Sequence, residues 1–317
     1  MKETVGAVIA TYNGEKYVDQ QLMCIINQDR TPDLIVISDG GSSDRTVEIC
    51  REILSSSEIK YIILTSDTQL SVPINFGKAI ENCCCDYIFL SDQDDYWVKD
   101  KISVTLEAMA NNDVCMAFTN ATITDGALNH KGTTLWDTIG FKPEDEITVF
   151  EKNDFDFIHE LIRHNIVTGM TICLTSDLRD VVLPISSNAI HDKWISMLAI
   201  FTGKIVAINQ ELVLYRQHGN NAVGTQRNLR KSLNNKRSYL DRLIQREKMI
   251  SELFERIEGI DYPEFLVNYK MYLRKRIDFI RGTTNVFSAV RLFNEYKENE
   301  YKPLEIMIKD YIVRVSK

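Results

Sequence analysis

The sequence lacks several signals that would identify its class directly. Its 317 residues contain no G-x-G-x-x-G run of a dinucleotide site and no G-x-x-x-x-G-K-[ST] phosphate loop. The seven cysteines include no C-x-x-C pair, which excludes the common zinc and dithiol motifs and predicts reduced, mostly buried thiols. The apolar run near the N-terminus is too short for a signal-peptide core or a membrane span. These absences predict a cytoplasmic protein.

Charge is unevenly distributed along the chain. The whole sequence has 37 basic and 45 acidic residues. The part from Thr225 onward contains 20 basic and 13 acidic residues, a net charge of +7. The part before Thr225 therefore carries a net charge of −15. An acidic main domain argues against nucleic acid as a ligand, since that footprint is normally basic. The basic end is compatible with peripheral contact with an anionic membrane, a lipid-linked acceptor, a homodimer surface or solvated helical faces.

Apolar runs and amphipathic stretches alternate through the first 120 residues. This repeated pattern of strand and helix predicts an α/β fold with a mostly parallel sheet flanked by helices. The predicted strands are Val5 to Ala10, Leu34 to Ser38, Tyr61 to Leu64, Tyr87 to Leu90 and Val114 to Phe118. The predicted helices are Tyr17 to Gln28, Asp44 to Leu54, Ile74 to Asn82 and Val98 to Ala110.

The pattern changes after residue 120. Residues 120–153 lose periodicity and are predicted to form a long excursion. Order resumes with a helix (Phe155 to Arg163), a strand (Ile166 to Leu174), a helix opening at His191 and Asp192, and strands at Ile205 to Ile208 and Leu212 to Tyr215. Beyond Gly224 the sequence favours long basic helices. We therefore predict a main domain of residues 1–224 and a helical C-terminal extension of residues 225–317.

One segment, DYIFLSDQDDYWVKDKI from Asp86 to Ile102, joins an apolar run to a group of carboxylates, Asp92, Asp94 and Asp95. Ligands of open α/β sheets bind at the carboxyl ends of strands. Crowded carboxylates repel one another unless a cation joins them, and Mg²⁺ or Mn²⁺ takes such hard oxygen ligands together with substrate phosphates. The alternative is an acidic turn that caps a helix beginning near Val98.

Two further loops follow predicted strands. Thr11, Tyr12, Asn13 and Gly14 combine hydroxyl, aromatic and amide groups that suit a nucleobase, although Asn and Gly are also normal at a turn. The run Ser38 to Asp44 (SDGGSSD) offers Asp39 as an acceptor for base or ribose donors. Asp44 fits the N-cap of the next helix.

Six motifs occur in order along the chain: ATYNG after the first strand, SDGGSSD after the second, FLSDQDDYW after the fourth, and then VTGMT, HDKW and YRQHGNNAVG. Together they resemble the motifs of the inverting glycosyltransferases of family 2, which have the GT-A fold. The last motif is similar to that of rhamnosyltransferase-like members of bacterial surface-polysaccharide biosynthesis. The resemblance covers about Val5 to Gly224.

The resemblance implies a donor site. Thr11, Tyr12 and Asp39 would hold the nucleotide, with Asn13 in the same loop, and Asp92 would face the ribose and diphosphate. Asp94 would coordinate Mn²⁺ or Mg²⁺, with Asp95 as a second ligand or a helix cap. His218 would be a further metal ligand, a phosphate contact or a structural residue. Arg216 would neutralise phosphate. The cation would stabilise charge on the leaving nucleoside diphosphate.

The resemblance also implies an acceptor site. Asp192, where a helix opens, would be the general base that removes the proton of the attacking hydroxyl. Many relatives carry Glu before this Asp; here His191 stands in that place and either helps to position the acceptor or is structural. Gly169 and Met170 would lie beside the acceptor. Trp194 would give a sugar ring a stacking face or would belong to the core.

The implied activity is transfer of a sugar, with rhamnose from dTDP-rhamnose as the preferred donor, to a saccharide or lipid-linked saccharide. A UDP-hexose transferase of the same fold, a nucleotidyltransferase and a retired glycan-binding or scaffold protein are the alternatives. The nucleotidyltransferase ranks low because its glycine-rich N-terminal phosphate loop is missing. The absence of a Q-x-x-R-W run predicts one sugar per encounter rather than processive synthesis.

Overall fold

The computed structural model describes residues 3–110, 113–143, 145–218, 236–257, 263–283, 292, 295 and 303–315. The chain divides into two units, residues 1–223 and 224–317. No described helix has the length and apolar character needed to cross a bilayer. Residues 219–224, which include the end of the YRQHGNNAVG motif and the predicted boundary, lie outside the described residues. The functional assignment of the two domains therefore stays a prediction.

The first unit alternates strands and helices. The strands are β1 (Val5–Thr11), β2 (Leu34–Asp39), β3 (Lys60–Leu64), β4 (Tyr87–Asp92), β5 (Tyr96–Trp97), β6 (Val114–Thr124), β7 (His130–Thr134), β8 (Ile147–Phe150), β9 (Ile172–Thr175) and β10 (Lys204–Arg216). The helices are α1 (Val18–Ile26), α2 (Thr46–Ser55), α3 (Val72–Glu81), α4 (Lys101–Ala108), α5 (Leu135–Ile139), α6 (Phe155–Arg163), α7 (Ser176–Val182) and α8 (His191–Thr202).

All of these strands join one sheet with the order β3-β2-β1-β4-β9-β6-β10-β5, while β7 pairs with β6 and β8 with β10. The strands β1 to β4 that lie side by side are parallel, and β9 runs antiparallel between β4 and β6. Because β9 is antiparallel to both of its neighbours, β6 runs in the same direction as β4. Strand β10 pairs parallel to β6 and so shares that direction. The prediction of an α/β fold with a mostly parallel sheet is confirmed. The loops that carry the predicted donor-site residues follow the carboxyl ends of β1, β2 and β4.

The predicted excursion over residues 120–153 is wrong. Strand β6 continues to Thr124, and β7, α5 and β8 follow it. All eleven residues of β6 are buried, including threonines and an asparagine, so the strand has no alternation of apolar and polar residues to reveal it. The short strands β7 and β8 are held by pairing with β6 and β10 rather than by an apolar pattern of their own.

Three predicted boundaries also change. The predicted strand from Ile166 to Leu174 is a 3-10 turn (Gly169–Thr171) followed by the short β9. The two strands predicted after residue 204 are one strand, β10, whose register shifts beside β6 separate its two apolar runs. Helix α4 begins at Lys101 rather than near Val98, because Tyr96 and Trp97 pair with β10 first.

The second unit is helical, as predicted, with α9 (Lys236–Arg256), α10 (Glu264–Arg281) and α11 (Pro303–Val315). A buried polar triad joins the three helices. Arg276 Nε lies 2.8 Å from Asp310 Oδ2, and the Tyr239 hydroxyl donates to Asp310 Oδ1 over 2.6 Å. Arg276 also donates to the Tyr239 hydroxyl over 2.9 Å. Because Arg276 and Asp310 are only 2% and 0% exposed, each charge depends on the other.

We expect Arg276→Met to destabilise the protein by about 3–5 kcal/mol, because it leaves Asp310 buried without a charged partner. Chemical denaturation measures this effect. Arg274→Met is the matched control, since Arg274 lies on the same helix and pairs with Glu247 from a side chain that is 61% exposed. That exposed pair should contribute about 0–1 kcal/mol. Equal losses in the two variants would contradict the role given to the buried triad.

Candidate active site

The carboxyl ends of β1, β2 and β4 bring three predicted nucleotide-binding residues together. Thr11 lies opposite Asp39 in the pairing of β1 with β2, and Ala10 lies opposite Asp92 in the pairing of β1 with β4. Parallel strands end at the same edge of a sheet, so the loops that follow them share one cleft. The residues come from three separate segments, and the sheet alone makes them neighbours.

The carboxylate of Asp39 already accepts hydrogen bonds from Thr11 and from the loop that follows β2. Its Oδ2 accepts from the Thr11 hydroxyl over 2.8 Å and from the Ser42 hydroxyl over 2.5 Å. Its Oδ1 accepts from the backbone N–H of Gly41 and of Ser42 over 3.1 and 2.8 Å. Four donors fill the four lone-pair sites of a carboxylate, so a nucleobase would have to replace one of them. Direct contact of Thr11 and Asp39 with the nucleotide stays a prediction.

The loop after β1 leaves one aromatic side chain exposed. Tyr12 is 38% exposed, and its backbone N–H and carbonyl both pair with the Gln93 side chain, over 2.9 and 3.0 Å. Asn13 has a left-handed φ of 47°, and its side-chain oxygen accepts from the Ser43 N–H over 2.9 Å. The loop is therefore rigidly connected to its neighbours, and the Tyr12 ring is available for stacking.

Asp94 and His218, the two predicted metal ligands, meet although 124 positions separate them. Asp94 Oδ2 lies 2.8 Å from His218 Nε2, and both side chains are largely covered, with exposed fractions of 15% and 13%. The His218 ring also stacks on Tyr17 at 4.7 Å between ring centres. A carboxylate oxygen and an imidazole nitrogen thus converge on one position beside the strand edge.

The other two carboxylates of the group lie close by in poorly solvated positions. Burial, followed by the charges of Asp94 and Asp192, raises the pKa of Asp92 to about 7. Burial also raises the pKa of Asp95 well above its ordinary value, and its Oδ2 has no hydrogen-bond partner among the described residues. Both observations indicate a shortage of positive charge. A divalent cation fits this place because it would supply that charge.

Arg216 supports this loop from within the protein. It is only 2% exposed, and its backbone N–H donates to Asp95 Oδ1 over 3.0 Å. Its guanidinium donates over 2.8 Å in each case to the carbonyls of Asp94 and Gly126 and to the Gln20 side chain. These contacts favour a structural role for Arg216 over the predicted contact with phosphate, because the guanidinium has almost no exposed surface.

Asp192 lies in the first turn of α8 and is 6% exposed. Asn165 Nδ2 donates to its Oδ2 over 3.1 Å, the Lys193 N–H donates to its Oδ1 over 2.6 Å, and the backbone of Gly169 also hydrogen-bonds it. Burial outweighs these donors and raises the pKa to about 6. A carboxylate with a pKa near neutrality suits a general base. The charge of Asp192 also contributes to the raised pKa of Asp92.

His191 packs against the floor of this cleft. Its ring stacks on Phe76 at 3.9 Å between centres, and burial lowers its pKa to about 3, so the imidazole is neutral. Neither ring nitrogen has a hydrogen-bond partner among the described residues. A Cβ on Gly169 would collide with His191 Nε2, which explains glycine at that position. Because both nitrogens are buried, contact of His191 with an acceptor stays a prediction.

The structure corrects the prediction for Trp194. The side chain is 1% exposed, and its Nε1 donates to the Val182 carbonyl over 2.8 Å. A ring enclosed in the core has no face to offer a sugar, so Trp194 is a packing residue. The Met170 side chain is likewise fully buried. Its backbone carbonyl accepts a hydrogen bond from Lys101 Nζ over 2.6 Å.

Sequence reasoning missed several residues that shape the site. Gln93 lies inside the SDQDD run, so the motif itself was a signal for it. Asn165 and Phe76 had no signal, because Asn165 lies in the loop between α6 and the 3-10 turn and Phe76 lies on a helix assigned only by its periodicity. Lys101 resembled an ordinary exposed lysine at the start of a helix, yet its side chain is 0% exposed.

Two solved structures resemble this architecture. S. aureus TarS 1-349 in complex with UDP-GlcNAc superposes with a TM-score of 0.61 at 12% identity, over 98% of this chain and 90% of that one. The mannosyltransferase PcManGT from Pyrobaculum calidifontis, in complex with GDP-Man and Mn²⁺, gives 0.53 at 11% identity, over 99% and 85%. At these identities the likeness shows the fold, and the predicted GT-A fold is confirmed.

Residues 7–169 match the family described as Glycosyl transferase family 2, and the chain therefore belongs to that family. It is a glycosyltransferase, as predicted. The dTDP-rhamnosyl transferase RfbG of Shigella flexneri is 38% identical over 117 residues. That match spans 36% of this chain and 38% of RfbG, so it extends over little more than a third of the relative's length.

Proposed function

We propose that this glycosyltransferase inverts the anomeric centre, needs a divalent cation, and transfers rhamnose from dTDP-rhamnose to a saccharide or lipid-linked saccharide of a cell-surface polysaccharide. One observation carries the mechanism: Asp94 and His218, 124 positions apart in the chain, meet at 2.8 Å just beyond the strand that ends in Asp92. The charges of Asp94 and Asp192 both contribute to the raised pKa of Asp92, which supports a base close to the donor side. An inverting transfer requires this proximity, because the acceptor oxygen that the base deprotonates attacks the carbon from which the nucleoside diphosphate leaves.

Asp94 and His218 are the proposed cation ligands. No group of three or more His, Cys, Asp or Glu side chains in the described part of the chain could hold a metal by itself. The remaining ligands would thus be diphosphate oxygens and water, as is usual for cations bound with a nucleotide. An imidazole in the set favours Mn²⁺ over Mg²⁺. A bound cation would stabilise the charge that develops on the nucleoside diphosphate as it leaves.

Asp192 is the proposed base. Its three hydrogen-bond donors fix the carboxylate in one orientation, and its raised pKa makes it a better proton acceptor than an exposed aspartate. The neutral imidazole of His191, which packs against Gly169, is proposed to help position the acceptor through the shape of the Gly169–Thr171 turn. The exposed Tyr12 ring is proposed to stack on the nucleobase.

The donor proposal draws on two supports. RfbG, which this chain matches over 117 residues, is a dTDP-rhamnosyl transferase, and the YRQHGNNAVG motif is similar to that of rhamnosyltransferase-like members. The structural neighbour TarS binds UDP-GlcNAc, which keeps a UDP-hexose donor as the alternative. The two donors differ in the pyrimidine and its ribose, so nucleotide binding separates them.

Calorimetric titration with dTDP, UDP, GDP and CMP, each with and without Mn²⁺, tests this function. We expect dTDP to bind at least about tenfold more tightly in the presence of Mn²⁺ and more tightly than GDP or CMP, which is a difference of about 1.4 kcal/mol or more. Preferred binding of UDP would replace dTDP-rhamnose by the UDP-hexose alternative. Binding of none of the four, with or without Mn²⁺, would contradict the proposal and favour a retired glycan-binding protein.

A further inference from the structure

Lys101 occupies an unusual place for an ammonium group. Its side chain is 0% exposed at the start of α4, where lysine is rarely found without a partner. Nζ donates to the Met170 carbonyl over 2.6 Å and lies 4.0 Å from the centre of the Trp97 ring. An apolar side chain would fill this space without the cost of desolvating a charge. The position of the ammonium group therefore suggests a role beyond packing.

The carbonyl that Lys101 holds belongs to the 3-10 turn Gly169–Thr171. This turn is in contact with the proposed base, because the backbone of Gly169 hydrogen-bonds Asp192. The same glycine packs against the ring of His191. Lys101 is thus connected to Asp192 through a single turn of backbone, and a shift of the turn would move the donor that orients the base.

Lys101 also interacts electrostatically with carboxylates of the proposed donor site. Burial lowers the pKa of Lys101 to about 7, and the charges of Asp95 and, more weakly, Asp92 oppose that shift. Asp95 in turn accepts a hydrogen bond from the backbone N–H of Arg216. One buried amino group therefore interacts with carboxylates of the loop from Asp92 to Asp95 and with the turn that supports Asp192.

We propose that Lys101 is a positioning residue for sugar transfer, which holds the Gly169–Thr171 turn, and through it Asp192, in place relative to the loop from Asp92 to Asp95. It is not a catalytic residue, because its side chain is enclosed and is placed to touch neither donor nor acceptor. The inference rests on the proposed function, since it takes Asp192 as the base.

Lys101→Met tests this role, because methionine fills similar space without the charge or the donor. We expect kcat to fall about 100-fold, the loss typical of a misplaced reacting group, while Mn²⁺-dependent nucleotide affinity changes by less than about tenfold. Thr105→Val is the matched control: Thr105 is buried one turn further along α4 and donates to the Lys101 carbonyl, not to the turn. It should lower thermal stability without the loss of kcat.

Two readouts separate positioning from general destabilisation. Hydrogen exchange of the peptide that contains Gly169 should be faster in Lys101→Met and unchanged in Thr105→Val. The pH midpoint of kcat should rise, because the Gly169 hydrogen bond lowers the pKa of Asp192. The other groups that face Asp192 are the carboxyl of Asp92, the ammonium of Lys193, the Asn165 amide and the neutral His191 ring. Thr105→Val leaves these groups unchanged, whereas Lys101→Met also removes a positive charge that lowers the pKa of Asp92.

Transfer by folded Lys101→Met at the wild-type rate, or an equal loss in Thr105→Val, would overturn the inference. If Lys101→Met does not fold, Lys101→Arg replaces it. The longer guanidinium must displace the turn, so we expect kcat to fall about tenfold at unchanged nucleotide affinity, and a wild-type rate would overturn the inference. A wild-type protein that neither binds nucleotide nor transfers sugar would instead count against the proposed function.

Discussion

Asp192→Asn is expected to lower the rate of sugar transfer by about 10³-fold, within the range that general bases contribute, and to leave Mn²⁺-dependent nucleotide binding unchanged. Asparagine keeps the size of the side chain and an oxygen to accept from Asn165 or Lys193, but it cannot take a proton from the acceptor hydroxyl. Single-turnover transfer and calorimetry on the same preparation measure the two effects.

The pH dependence gives this expectation a second test. Because burial raises the pKa of Asp192 to about 6, the base form is lost as the pH falls through 6. Wild-type kcat should therefore fall about tenfold per pH unit below 6 and be level above about 7. A folded-state pKa above the unfolded value also means that ionised Asp192 costs stability at neutral pH, so Asp192→Asn should not unfold the protein.

Asp177→Asn is the control for this variant, since Asp177 lies in the first turn of α7 but is exposed. It should transfer sugar at the wild-type rate. If Asp192→Asn also transfers normally, the base is another group and the role given to α8 is wrong. If it loses nucleotide binding as well, the carboxylate belongs to the donor site rather than to the acceptor side.

The second large effect is expected for Asp94→Asn. The substitution removes the negative charge that lies 2.8 Å from His218 Nε2 and takes the only proposed carboxylate ligand from the cation. We expect Mn²⁺-dependent nucleotide affinity to fall by about 100-fold or more, and turnover to be lost with it. Binding measured without Mn²⁺ should be the same in variant and wild type, because the substitution acts through the cation.

Asp100→Asn is the control for the metal site: it removes an exposed aspartate from the same segment and should have no effect on either quantity. Normal sugar transfer by Asp94→Asn would show that the cation site is assigned to the wrong residues. The two principal variants should thus differ in kind, one losing donor binding and the other losing only transfer.

The order of the motifs made much of the fold and part of the site predictable. Apolar runs that alternate with amphipathic stretches specify a βα repeat, and polar loops after strands indicate the carboxyl edge. Prediction failed where a segment has no pattern of its own. Buried β6 carries threonines among its apolar residues, and the 3-10 turn before β9 lies inside an apolar run that resembles a strand.

The amino-acid sequence by itself determined the α/β class, the family resemblance and the candidate groups Asp94, Asp192 and His218, because periodicity and motif order are properties of neighbouring residues. Only the tertiary structure decided what surrounds each side chain. It showed Asp39 held by Thr11 and the Gly41–Ser42 backbone, Arg216 hydrogen-bonded to Gln20, Asp94 and Gly126, Trp194 enclosed in the core, and Lys101 buried. Desolvation and hydrogen bonding depend on segments far apart in the chain, and a local pattern does not contain that information.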